Sequence, residues 1–133
     1  MAVALVIVSH SQQLADGVRE IAAQMAGDRV VIRAVGGAAD GSLGTNAEAI
    51  ARAITDADQG DGVLILMDLG SAVLSTETAL EMLELNDSPK IRLSNAPLVE
   101  GAVVAAIEAS VGHTLAEVAD AALDAKDMTK LIK

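Results

Sequence analysis

The 133-residue chain contains no cysteine, phenylalanine, tyrosine or tryptophan, and only two prolines. Without cysteine there is no disulfide frame, no thiolate nucleophile and no cysteine-based zinc site. Without aromatics there are no base-stacking platforms, no cages for cations and none of the large anchors common in tight interfaces. Basic residues are scarce as well: nine Lys+Arg face nineteen Asp+Glu, for a net charge of −10. A chain of that sign repels nucleic acid and anionic membranes, so neither is expected as a partner. No apolar run approaches the roughly 20 residues needed to cross a bilayer. The apolar start, Met1–Val8, lacks the basic region and small-residue cleavage site of a signal peptide, so a cytoplasmic location is expected. The two histidines, His10 and His113, have no neighbours at ligand spacing, and no metal site is expected. His113 reads as a solvent-facing turn residue.

What is present is a chain that is 52% hydrophobic, enough to exclude disorder despite its charge. Its core has to be built from Ala, Val, Leu, Ile and Met. The length and the lack of any linker or repeat predict one domain over residues 1–133. Four β-rich runs (Ala2–Val8, Val30–Val35, Gly62–Met67 and Lys90–Leu93) alternate with helical patterns. The first helix, Ser11–Met25, places Leu14, Val18, Ile21 and Met25 on one face, and Gly27 supplies a stop. Thr45-Asn-Ala-Glu48 has capping-box spacing before a second helix carrying Ile50 and Ile54. A third helix begins near Ser71 and carries Leu74, Leu80 and Leu83. A fourth runs from about Leu98 to Ser110. A fifth starts near Thr114, again at capping-box spacing to Glu117. Met25, Met67 and Met82 are expected to fill core gaps. The alternation implies βαβ units and an α/β fold around a mostly parallel sheet.

In such a sheet, ligands bind beyond the carboxyl ends of the strands. Those ends carry Ser9-His10-Ser11, the glycine loop Gly36–Gly44 leading to Thr45, Asp68-Leu69-Gly70-Ser71, and Ser94-Asn95-Ala96-Pro97. Ser9 and Gln12 have capping-box spacing, which would set His10 in the first turn of a helix. There, free N–H groups favour a bound anion, and a neutral imidazole offers a lone pair for attack on a phosphoryl group. Ser9 and Ser11 add hydroxyl donors. The alternative is a polar loop histidine that merely packs. Asp68 would orient the His10 ring if the first and third strands are neighbours, or would instead cap the helix starting at Ser71. Gly70-Ser71 forms either a second anion-binding helix start or a tight turn. Four glycines in the nine residues 36–44 suggest positive φ or a close approach.

Other templates fail. The glycine loop has no lysine for a P-loop, and the first strand is not followed by a dinucleotide fingerprint. A receiver-like domain phosphorylated on Asp68 would want an acidic pair where Ser9-His10 stands and a lysine where Ser94-Asn95 stands. A non-catalytic module that binds a small ligand through the glycine loop is a rival; a purely structural oligomer is another, and the clustering of polar loops at the strand ends argues against it.

Val6-Ile-Val-Ser-His10-Ser, Gly44-Thr45, Met67-Asp-Leu-Gly-Ser-Ala72, Thr76-Glu-Thr-Ala-Leu80 and Ala96-Pro-Leu-Val-Glu-Gly101 together resemble the phosphocarrier subunits of phosphotransferase-dependent dihydroxyacetone kinases. These are similar to the mannose-type enzyme IIA domain of the sugar phosphotransferase system, and the resemblance runs to about residue 124. It implies a three-layer α/β sandwich with sheet order 2-1-3-4, helices on both faces, and usually a homodimer. It also implies that His10 accepts phosphate from phospho-HPr and passes it to ADP held on the nucleotide-binding subunit of the kinase. The activity would be that of a phosphoenolpyruvate–glycerone phosphotransferase subunit. Asp68 matches the orienting carboxylate. Ser9, Ser11, Gly44, Thr45, Gly70 and Ser71 are the candidates for stabilising phosphate. No tightly bound cofactor is implied, only a transient phosphate on His10. A sugar-phosphotransferase IIA role is the related alternative. Some relatives carry fused HPr-like and enzyme I-like domains. This chain ends without them, so a single-domain form served by free HPr is expected. The mannose-type domain swaps a C-terminal strand across its dimer, but Ala116–Lys133 reads helical here. Lys126, Lys130 and Lys133 suit a helix C-terminus.

Overall fold

The computed structural model describes residues 2–132. Four strands, β1 (Ala4–Ser9), β2 (Ile32–Gly36), β3 (Val63–Met67) and β4 (Ile91–Ser94), form one sheet of order β2-β1-β3-β4. Every pairing is parallel, with Leu5 opposite both Ile32 and Leu64. The central strands are buried on both faces, which is why β1 and β3 read as unbroken apolar runs instead of alternating. Order reverses between β1 and β3, so the crevice for ligands opens where those two strands end.

Alternation along each strand divides the core in two. Leu5, Ile7, Leu64 and Leu66 point into a cluster covered by α1 (Gln12–Ala26), α4 (Leu98–Ser110) and α5 (Leu115–Asp124). Val6, Val8, Ile65 and Met67 point into the opposite cluster, covered by α2 (Ala47–Ala57) and α3 (Gly70–Met82). Small side chains replace the missing aromatics. The buried face of α4 is Gly101, Ala102, Ala105, Ala106 and Ala109, which lets its backbone lie close against the sheet and α1.

Several details differ from the sequence pattern. The buried stripe of α1 is Ala15, Val18, Ala22 and Ala26, whereas Leu14, Ile21 and Met25 are exposed. Alanine is what a closely packed helix needs, and its weak hydropathy hides that stripe from a periodicity count. Met67 is buried as expected, but Met25 and Met82 lie at the surface, and so does Leu74. Helix α2 is capped by Asn46, whose side chain accepts the Glu48 and Ala49 N–H groups, not by Thr45. The Thr114–Glu117 capping box forms in both directions. Gly27 closes α1 at φ 66°, a conformation natural to glycine. His113 is exposed and pairs with Glu108. The tail is helical only to Asp124, followed by a 3₁₀ turn over Ala125–Asp127, and residues 128–132 are irregular. Lys130 reaches back to Glu100 of α4 at 3.0 Å instead of serving a helix end, and Lys133 lies outside the described residues.

The close approach of α4 yields a test. A Cβ added at Gly101 would sit 2.6 Å from the Cβ of Ala96 and 3.2 Å from Leu66 Cδ2. Replacing glycine by alanine mid-helix gains at most about 1 kcal/mol of propensity. Overpacking of this kind costs about 1–3 kcal/mol. We expect Gly101→Ala to lower the urea midpoint, and an unchanged or raised midpoint would show that the contact relaxes freely.

Candidate active site

The switch point is occupied by the two residues that follow β1 and β3, His10 and Asp68. Asp68 immediately follows β3, and its N–H donates to the Val8 carbonyl at 3.1 Å. This extends the sheet by one bond and aims the carboxylate across to the end of β1. Both oxygens are used twice. Oδ2 accepts the Ser9 hydroxyl at 2.9 Å and the His10 backbone N–H at 2.9 Å. Oδ1 accepts the His10 Nδ1–H at 2.9 Å and the Leu69 N–H at 2.7 Å. The carboxylate thus fixes backbone and ring of His10 together. Its side chain is only 11% exposed, against 26% for His10, so the acid is sheltered while the imidazole stays reachable.

Burial alone would raise the Asp68 pKa, but the hydrogen bonds from the His10 backbone, the His10 ring, Ser9 and Leu69 outweigh it and hold the carboxyl below its ordinary value. The group therefore stays ionised and acts only as an acceptor. An ionised acceptor assigns the proton to Nδ1. Nε2 then carries the lone pair, which is free to accept from the hydroxyl of Ser71 that sits against it.

Ser71 is the second residue of α3, whose N-cap, Leu69, provides no side-chain cap. The first N–H groups of a helix have no intrahelical acceptors. Leu69 N–H is taken by Asp68 and Ala72 N–H by the Leu69 carbonyl. The N–H groups of Gly70 and Ser71 are left at the positive end of a 13-residue helix, beside the Nε2 side of the ring. The helix end facing His10 is therefore that of α3. Helix α1 is capped by Ser11, which accepts the Leu14 N–H at 3.2 Å, so His10 precedes the cap and is not in the first turn. The Ser9–Gln12 box does not form, because the Ser9 hydroxyl is spent on Asp68 and also accepts the Ser11 N–H at 3.0 Å. Nor is Asp68 a helix cap.

The glycine loop supports the other side. Gly44 N–H donates to the His10 carbonyl at 2.9 Å. A Cβ at Gly36 would lie 2.6 Å from the Ser11 carbonyl oxygen, so β2 ends against the start of α1 with room only for glycine. Gln12 stitches that contact: its side-chain oxygen accepts the Gly36 N–H at 3.0 Å, and its nitrogen donates to the Ala34 carbonyl at 3.3 Å. Of the residues singled out in the sequence, Ser9, His10, Asp68, Gly70 and Ser71 converge, and Gly44 touches His10 through its backbone. The Ser11 hydroxyl is turned into its own helix. The Thr45 hydroxyl bonds Ser75 and makes no hydrogen bond to His10. Gln12 and Ser75 carry no local signature, since their partners lie 24 and 30 positions away. Among the described residues, no group of three acidic, histidine or cysteine side chains is placed to hold a metal ion, and no helix is long and apolar enough to cross a membrane.

The site is thus an imidazole held by a carboxylate beside a helix N-terminus, at the switch point of an open α/β sheet of order 2-1-3-4. The family model described as "PTS system fructose IIA component" (EIIA-man) matches residues 4–119, and the chain belongs to that mannose-type IIA family. The phosphoryl donor subunit DhaM of PEP-dependent dihydroxyacetone kinase 2 from Listeria innocua is 45% identical over 109 residues, covering 82% of this chain and 87% of its own length. The corresponding DhaM subunit of Escherichia coli is 45% identical over 117 residues, 86% of this chain but only 25% of that longer protein. A crystal structure of a protein of unknown function, EF1359, superposes with a TM-score of 0.82 at 42% identity, covering 93% of this chain and 95% of that one.

The lowered Asp68 pKa makes a prediction about acid stability. The folded state binds fewer protons here than the unfolded state, so the stabilisation is complete above the ordinary value of 3.8 and fades as pH falls through the lower folded value. Asp68→Asn removes the charge and turns an N–H group toward existing donors, at a cost of about 1–3 kcal/mol near neutrality. We expect the gap between wild type and Asp68→Asn, read by denaturant titration, to close as pH drops below that value. A gap independent of pH would show that the carboxylate is not held ionised by these bonds.

Proposed function

We propose that the chain carries phosphate on His10 as the phosphoryl donor subunit of a phosphoenolpyruvate-dependent dihydroxyacetone kinase, taking it from phospho-HPr and delivering it to ADP bound on the kinase's nucleotide-binding subunit. The observation that carries this reading is the His10 ring itself: Nδ1 is held by Asp68, and Nε2 is left as a nucleophile facing the Ser71 hydroxyl. The names of relatives at 45% identity supply the substrate class.

The chemistry balances without a metal or cofactor on this chain. In the first step the Nε2 lone pair attacks the phosphorus of the donor's phosphohistidine. The new N–P bond forms as the old one breaks, and the donor imidazole leaves with its electron pair. In the second step a β-phosphate oxygen of ADP attacks, the N–P bond breaks, and the lone pair returns to Nε2. No proton passes through Nε2, and the proton stays on Nδ1, hydrogen-bonded to Asp68, throughout, so that the carboxylate stabilises the charge that builds on the ring. Transfer of this sort depends on positioning and on charge stabilisation at the equatorial oxygens. Ser71 swings from Nε2 to donate to the incoming phosphoryl group, and the Gly70 and Ser71 N–H groups complete the cradle. Ser9 acts at one remove, by holding Asp68.

The family description favours one second reading, a sugar-phosphotransferase IIA domain that delivers its phosphate within that system instead of to ADP. Only the acceptor differs. Intact mass after incubation with phosphoenolpyruvate, enzyme I and HPr tests the shared part. We expect a gain of one phosphate, lost in acid, stable in base and absent from His10→Gln. Asp68→Asn should slow uptake on the order of 10²- to 10⁴-fold, as when a triad carboxylate is replaced by its amide. No phosphate on the wild type under conditions that charge a known IIA domain would refute the reading. Transfer to an ADP-loaded kinase subunit then separates the two acceptors.

A further inference from the structure

We propose that Ser75 is a positioning residue for phosphoryl transfer, acting through Thr45 on one side and Ser71 on the other; this rests on the reading of His10 as the carrier. Neither hydroxyl of the Thr45–Ser75 pair touches His10, yet the pair closes a ring of contacts around it. The His10 carbonyl accepts the Gly44 N–H at 2.9 Å. The next residue, Thr45, shares a part-buried hydroxyl–hydroxyl hydrogen bond with Ser75 of α3. Ser75 lies four positions after Ser71, one turn deeper on the same side of the helix. Ser71 returns to the ring at Nε2. The circuit runs from the backbone of His10, through the loop and the first turns of α3, to the reactive nitrogen of the same residue.

This circuit answers a geometric need. Asp68 fixes the ring relative to β1 and β3 and holds the Leu69 N–H just before α3, but it makes no hydrogen bond to Gly70, Ser71 or any later residue of that helix. Helix α3 has no side-chain cap to anchor its start, and its first turn holds the donors. The glycine loop is shaped by positive-φ glycines at 37, 41 and 44 and by internal bonds such as Ala38 N–H to the Ser42 carbonyl at 2.8 Å. It therefore offers a fixed point. The Thr45–Ser75 bond pins the helix to that point at its second turn, which sets the height of Ser71 and of the Gly70 and Ser71 N–H groups above the ring. Errors of an ångström in such donors carry large rate penalties.

The test is a cycle of variants in the full chain. It is read by single-turnover uptake from phospho-HPr and by the ¹⁵N shift of His10 Nε2, which reports the Ser71 hydrogen bond without any partner. Ser75→Ala should slow uptake roughly three- to tenfold, the range expected for one hydrogen bond, with the donor concentration for half-saturation unchanged and the Nε2 shift moved. Thr45→Val should do the same, and Thr45→Ser, which keeps the hydroxyl, should restore the rate. In a Ser71→Ala background, Ser75→Ala should add little, because the two act as a unit. Ser75→Ala with wild-type uptake and shift would overturn the proposal, as would effects that multiply fully with Ser71→Ala. A variant that merely loses thermal stability with both readouts unmoved also overturns it. If wild type accepts no phosphate, the carrier reading fails instead, while the Nε2 shift still decides whether Ser75 positions Ser71.

Discussion

One carboxylate organises this site. Asp68 accepts four hydrogen bonds, two per oxygen, from Ser9, Leu69 and both the backbone and ring of His10. Two consequences follow from elementary acid–base chemistry. A carboxylate surrounded by donors stays ionised despite its burial. An ionised acceptor on Nδ1 obliges the neutral ring to present its lone pair at Nε2. Reactivity at the exposed nitrogen is thereby set by an interaction on the sheltered one.

The sheet makes that carboxylate available. Parallel pairing of β1 with both β2 and β3 places the ends of β1 and β3 side by side. Helices α1 and α3 leave those ends on opposite faces of the sheet. The crevice between them is generic to open α/β sheets. Its content here is specific: a histidine on one lip, an acid on the other, and a helix start without a side-chain cap whose Ser71 meets Nε2. A core without aromatics serves this arrangement through close approach. The alanine face of α4 lets that helix lie close on the sheet, and Gly36, where β2 meets the start of α1, leaves room for the Gln12 bonds that tie strand to helix.

Much of this was legible in the sequence because it is local. Buried parallel strands announce themselves as unbroken apolar runs, and the residues that follow them lie at one edge, so His10 and Asp68 could both be set at that edge; that their strands are neighbours is not a local property and came from the family resemblance. The helix register at the site was not legible. Ser9 and Ser11 both cap well, and the choice between them is made by Asp68, 59 positions from Ser9, which draws the Ser9 hydroxyl away. The same distance effect conceals Gln12 and Ser75. Alanine hides the buried stripe of α1, and the apolar Leu14, Ile21 and Met25 that dominate its pattern prove to be exposed.

The proposed transfer chemistry depends on which ring nitrogen of His10 bears the phosphate. Charging the ¹⁵N-labelled protein with phosphoenolpyruvate, enzyme I and HPr and measuring ³¹P–¹⁵N coupling on His10 reads this directly. Coupling to Nε2, with the proton retained on Nδ1, is the predicted result. Phosphate coupled to Nδ1, or found on any other side chain, would contradict the geometry on which every step depends.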